Sequence, residues 1–127
     1  MDVNFSLINK AKSKVPSLPF MDIKKEILGE KYDLSVAYVT IAKIRELNMR
    51  YRKKDKATNV LSFALDKNSG ELIICPEIVK KELKKFERNF RQLLGYLVIH
   101  GMLHLKGYEH GEKMDKAEKK YLSHTKF

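Results

Sequence analysis

Asn89-Phe90-Arg91-Gln92-Leu93-Leu94-Gly95-Tyr96-Leu97-Val98-Ile99-His100-Gly101-Met102-Leu103-His104-Leu105-Lys106-Gly107-Tyr108-Glu109-His110 combines an apolar helical pattern with three of the chain's four histidines. Phe90, Leu94, Leu97, Val98, Gly101 and Leu105 recur on one face at helical spacing, while Tyr96, Ile99 and Leu103 point the other way. A helix that is apolar all round belongs inside a protein. The segment from Asn89 to Leu105 is therefore expected to be a central, buried helix. His100 and His104 are one turn apart and leave the same side of it. Gly107 can take the positive φ that ends a helix, so the chain can turn and bring His110 back to the other two. Three neutral imidazoles converging from one side hold a divalent ion and leave one coordination position open for water. That open position marks a catalytic metal site.

Outward from this helix, the rest of the chain reads as short strands mixed with helices. Val3–Ile8 alternates apolar and polar residues and predicts a first strand. Phe20, Ile23 and Ile27 sit at helical spacing before Gly29 and predict a helix over 20–28. Leu34–Val39 predicts a second strand. Thr40 is the N-cap residue of a helix running through Ile41, Ile44, Leu47 and Asn48, followed by a basic loop from Arg50 to Lys56. Val60–Leu65 and Glu71–Cys75 predict a third and a fourth strand, and the turn Asp66–Gly70 makes them a hairpin. Pro76 opens a helix reaching to about Phe86. A last amphipathic helix runs from Glu112 to Leu122 with Met114, Ala117 and Tyr121 on one side. The fold expected is a single α+β domain over residues 1–127: a small, mostly four-stranded mixed sheet packed with helices, the buried one carrying the first two histidines.

The chain has 127 residues, 43% hydrophobic and 33% charged, which suits one soluble globular domain. The longest apolar run, Leu93–Leu105, is shorter than the roughly 20 residues that span a bilayer and is broken by two histidines. Met1–Phe5 lacks a secretory pattern, and the one cysteine, Cys75, cannot form an intramolecular disulfide. A buried thiol at a strand end and a reducing cytoplasm are expected. The net charge of +10 favours a polyanionic partner, nucleic acid or an anionic membrane surface, where basic residues cluster; elsewhere it is a solvated lysine-rich surface.

A lone histidine on an apolar helix is usually a core residue, but three of the four histidines fall within 100–110, with glycine at the required turn. His124 stands apart in a lysine-rich tail and reads as solvated. The spacing H-x-x-x-H-x-x-G-x-x-H is also that of the metzincin proteases, which need glutamate directly after the first histidine as general base. Here Gly101 stands there, which disfavours peptide hydrolysis. Imidazole-only ligation suits zinc, and also nickel and copper. Among the acids near the motif, Glu109 is the leading partner for a histidine ring.

Three segments together resemble the YbeY-type bacterial endoribonucleases. Leu47–Phe63, with Tyr51-Arg52-Lys53-Lys54-Asp55 at its centre, resembles their approach to the third strand. Gly70–Cys75 is similar to their next strand, and His100–His110 to their histidine motif. Ala57 stands where proline is common, Glu71 and Glu109 where aspartate is typical, and the hairpin turn is short for the family. The resemblance implies a small α+β fold distantly like the zincins. It implies a metal-dependent endoribonuclease specific for single-stranded RNA, acting in ribosomal RNA maturation and ribosome quality control. It carries metal ligation onto His100, His104 and His110 and a functional arginine onto Arg52.

The residues themselves agree with that reading. Phosphate oxygens match a guanidinium fork, and Arg52 lies in the basic segment before the third strand. Tyr51 and Tyr108 can stack on unpaired bases, although packing is the more usual role of such tyrosines. The expected partners are single-stranded RNA and ribosomal RNA or the ribosome, with one divalent ion, zinc foremost, no small-molecule cofactor and no membrane. Two other readings stay open. One is a non-catalytic RNA- or ribosome-binding protein with a structural metal; the other is a metallohydrolase of another substrate, peptide included.

Overall fold

A computed structural model describes residues 4–125 and 127. Four strands form one mixed sheet: β1 (Phe5–Asn9), β2 (Asp33–Tyr38), β3 (Val60–Asp66) and β4 (Ser69–Ile74). Five helices pack on it: α1 (Phe20–Ile27), α2 (Ile41–Arg52), α3 (Pro76–Glu82), α4 (Phe90–Lys106) and α5 (Glu112–His124). The strand order is β1-β2-β4-β3. β1 and β4 run parallel to β2, and β3 pairs antiparallel with β4 as the expected hairpin. The fold is α+β. Val3, placed in the first strand by its alternation, lies outside the described residues.

Local sequence accounts for most element ends. Thr40 Oγ1 accepts the Lys43 amide at 3.2 Å and caps α2. Asn89 and Gln92 form a reciprocal capping box that starts α4. Three boundaries differ from the sequence reading. α2 continues through Arg50, Tyr51 and Arg52, so only 53–59 is loop. Arginine and tyrosine are compatible with a helix, and the stop comes at Lys53, which takes φ 57°. The hairpin turn is only Lys67 and Asn68, because Asp66 Oδ1 accepts the Asn68 amide at 2.8 Å and the strands pair up to it. The helix from Pro76 ends at Glu82 and tightens into a 3₁₀ turn over Leu83–Lys85.

The alternation along β2 and β4 decides the layers. Leu34, Val36, Tyr38, Leu72 and Ile74 face the main core with Phe20 and Ile23 of α1, Val79 of α3 and most of α4. The other face, with Leu61, Ile73 and Cys75, is covered by Ile44 of α2. α4 is the central helix, touching α1, α3, α5, β3 and β4. Leu93, Leu94, Val98, Ile99, Met102 and Leu103 on it are fully buried, as its apolar circumference requires. Among the described residues no helix is long and apolar enough to cross a membrane.

Candidate metal centre and adjoining groove

His100 and His104 leave α4 in its last two turns. Gly107, at φ 110°, ends the helix, and the Tyr108 amide donates back to the Leu103 carbonyl at 3.0 Å. The reversal returns His110. The three rings then lie 4.7–5.3 Å apart between centroids. Each offers a ring nitrogen within 4.8 Å of the others, so the group can hold a metal ion. His124 is elsewhere, half-exposed and 3.7 Å from Glu26.

The second ring nitrogens are committed. His104 Nδ1 lies 3.1 Å from the Tyr108 carbonyl oxygen, and His100 Nδ1 lies 2.8 Å from Glu118 Oε2. A carbonyl and a carboxylate only accept, so both Nδ1 atoms carry the proton. In the neutral rings both Nε2 atoms then offer lone pairs, and they face each other at 3.2 Å. Two lone pairs at that distance repel unless a cation or a proton lies between them. The donor set therefore suits a metal ion. His104 is also held below the ordinary histidine pKa, first by burial and then by the neighbouring His100 and His110 rings. It stays neutral, as a ligand must be.

Glu109, the acid expected to support a ring, is exposed; the carboxylate that meets an imidazole is that of Glu118. A faint trace of this lies in the sequence. Glu118 follows Met114 by four residues, so it shares the flank of α5 that Met114 and Ala117 bury. The Tyr108 carbonyl left no trace, since main-chain groups are the same at every position.

Gly101 has a packing reason. A Cβ there would lie 2.7 Å from Leu72 Cδ2 and 3.1 Å from Ser62 Oγ. The position after the first histidine thus faces the sheet, and Ser62 Oγ donates to its carbonyl at 3.2 Å. A side chain at 101 would be driven into the helix–sheet contact.

Arg52 ends α2, and its Nη2 donates to the Ser62 main-chain carbonyl. Its guanidinium sits 5.1 Å from the centre of the Phe63 ring. Tyr51 packs edge-on against Phe63 yet stays 59% exposed, so it is only partly the packing residue its type suggested. Tyr108 does pack against the core. A groove of about 1000 Å³ runs from Arg52, Lys54 and Lys56 to His100, His104 and His110. Glu71 lies outside it, on the sheet face beside α2. Cys75 is fully buried, and burial pushes its thiol pKa up, as expected for an inert strand-end cysteine.

Comparison with known proteins agrees with this geometry. The family model for Endoribonuclease YbeY matches residues 8–126. Endoribonuclease YbeY of Staphylococcus carnosus is 36% identical over 107 residues, covering 75% of this chain and 70% of the relative. Endoribonuclease YbeY of Staphylococcus aureus is 35% identical over 109 residues, with the same coverages of 75% and 70%. The solution structure of TM1509 from Thermotoga maritima matches at a TM-score of 0.63 and 29% identity, covering 94% of this chain and 87% of the other. The resemblance carried by three short segments thus extends along nearly the whole sequence, and the chain belongs to the endoribonuclease YbeY family, hydrolases that act on RNA.

Proposed function

We propose that this protein is a metal-dependent endoribonuclease specific for single-stranded RNA. It acts in the cytoplasm on ribosomal RNA, in maturation and in ribosome quality control, as one domain over residues 1–127. The observation that carries the reading is one continuous groove joining the three histidines to the basic end of α2. His100, His104 and His110 hold one divalent ion, and zinc is the ion their chemistry favours. When bound, that ion supplies Lewis acidity and makes water a nucleophile near neutral pH.

Arg52 binds the phosphate. One of its five N–H donors is used by the Ser62 carbonyl, which aims the guanidinium, and the others remain for phosphate oxygens. It stabilises the charge that builds on the phosphate during attack. Lys54 and Lys56 line the same groove and draw the RNA backbone in. Tyr51 offers an exposed ring to an unpaired base. Bases stacked within an A-form duplex cannot reach it, which gives the preference for single strands.

The test is cleavage of end-labelled single-stranded and duplex RNA by the zinc-loaded protein and by its His104→Ala variant. Zinc-dependent cleavage of the single strand that His104→Ala loses is the expected result. Cleavage by His104→Ala at the parent rate, or hydrolysis of casein with RNA left intact, would overturn the reading.

A further inference from the structure

We propose that Glu118 is a positioning residue for the histidine cluster: from α5 it fixes the His100 ring so that a bare Nε2 faces His104 and His110. The inference rests on the reading of that cluster as a metal site. Glu118 is the one acid in the buried class among the described residues, at 6% exposure. A buried carboxylate is costly unless it is hydrogen-bonded, and this one meets the His100 imidazole. Its Oε2 lies 2.8 Å from His100 Nδ1. Tyr96, one turn before His100 on α4, brings its hydroxyl to the same carboxylate. Arg88 covers the Tyr96 ring at 4.5 Å from its centre. Met114 and Ala117, buried on the same flank of α5, dock that helix against the core and leave the carboxylate little freedom.

The two helical histidines are therefore held by different means. His104 takes its tautomer from a main-chain carbonyl, that of Tyr108, which no side-chain substitution removes. His100 depends on a side chain from another helix. Without Glu118, the His100 Nδ1 proton has no acceptor, and the proton can move to Nε2. The ring then points an N–H, not a lone pair, at the ion position. A carboxylate behind an imidazole also makes it a better donor. Docking of α5 thus completes the site, although α5 contributes no group facing the ion.

The test uses the full chain and zinc alone, with two readouts. Long-range ¹H–¹⁵N NMR of the metal-free protein at pH 8 reports the His100 tautomer. Competition with a chelator reports zinc affinity. The parent should show His100 with the proton on Nδ1. Glu118→Ala should show a substantial population with the proton on Nε2 and bind zinc about 10–100-fold more weakly. Glu118→Gln retains an acceptor oxygen, so it should keep the tautomer and lose less affinity; it also serves if the alanine variant does not fold. An unchanged tautomer in Glu118→Ala overturns the proposal, whether affinity is retained or falls, since a fall alone would mark a purely electrostatic effect. His104→Ala separates the two readings. If it binds zinc as tightly as the parent, the metal-site reading fails; if it loses zinc while Glu118→Ala matches the parent in both readouts, only the Glu118 role fails.

Discussion

Gly101→Ala sets two known effects against each other, and the structure decides between them. In a helix interior alanine is favoured over glycine by about 1 kcal/mol. The new Cβ, however, would lie 2.7 Å from Leu72 Cδ2 and 3.1 Å from Ser62 Oγ. Carbon atoms rest about 3.5–4.0 Å apart, so the pair must open by roughly 1 Å. Leu72 is fully buried between α4 and the sheet and has no solvent side to move toward. Overpacking of this kind costs about 1–3 kcal/mol, and moving Ser62 also weakens its bond to the Gly101 carbonyl. The net expectation is a loss of about 1–2 kcal/mol. In urea, with m of about 2 kcal/mol/M for a domain of this size, the midpoint should fall by about 0.5–1 M. The informative companion is Gly101→Ala in a Leu72→Val background, where the missing methyl should recover part of the loss; the double-mutant cycle isolates the contact. If Gly101→Ala is as stable as the parent, and Leu72→Val changes nothing about its effect, α4 is not pressed against β4 as argued.

Other consequences are open to measurement. Arg52→Ala should keep the fold and the zinc content yet lose about 10²–10³ in single-strand cleavage, the usual worth of a donor aimed at developing charge. Arg52→Lys should recover only part of this, and Lys54→Ala should cost far less; parent-like rates in Arg52→Ala would remove the arginine from catalysis. Zinc affinity, followed by competition titration from pH 8 to pH 5, should weaken as pH falls, because protons compete for the imidazoles. The depressed pKa of His104 makes it the ligand that resists acid, so a flat profile would place the zinc elsewhere. Affinity of a catalytically silent variant for single-stranded RNA should drop steeply between 50 and 200 mM salt as counterion release is suppressed; salt-independent binding would show that the basic wall of the groove does not meet phosphates.

Features that depend on neighbours along the chain were legible in the amino-acid order. The apolar circumference of 89–105 made α4 the buried centre. The i, i+4 pair and Gly107 made a cluster of His100, His104 and His110 foreseeable, since helix pitch and one positive-φ turn are local properties. The short polar gap between β3 and β4 specified their hairpin for the same reason. What depended on chain segments far apart had to wait for the tertiary structure. Nothing local says that β2 pairs with β4 or that α2 covers the second face of the sheet. Glu118 outranks the adjacent Glu109 because α5 docks beside α4, and its carboxylate reaches His100 across 18 residues of sequence. Arg52 meets Ser62, and Ser62 meets Gly101, only because helix and strand converge on the same groove. Residue type and spacing reveal which groups can do chemistry; which of them face one another is set by long-range burial of apolar surface, and that is encoded in the chain as a whole.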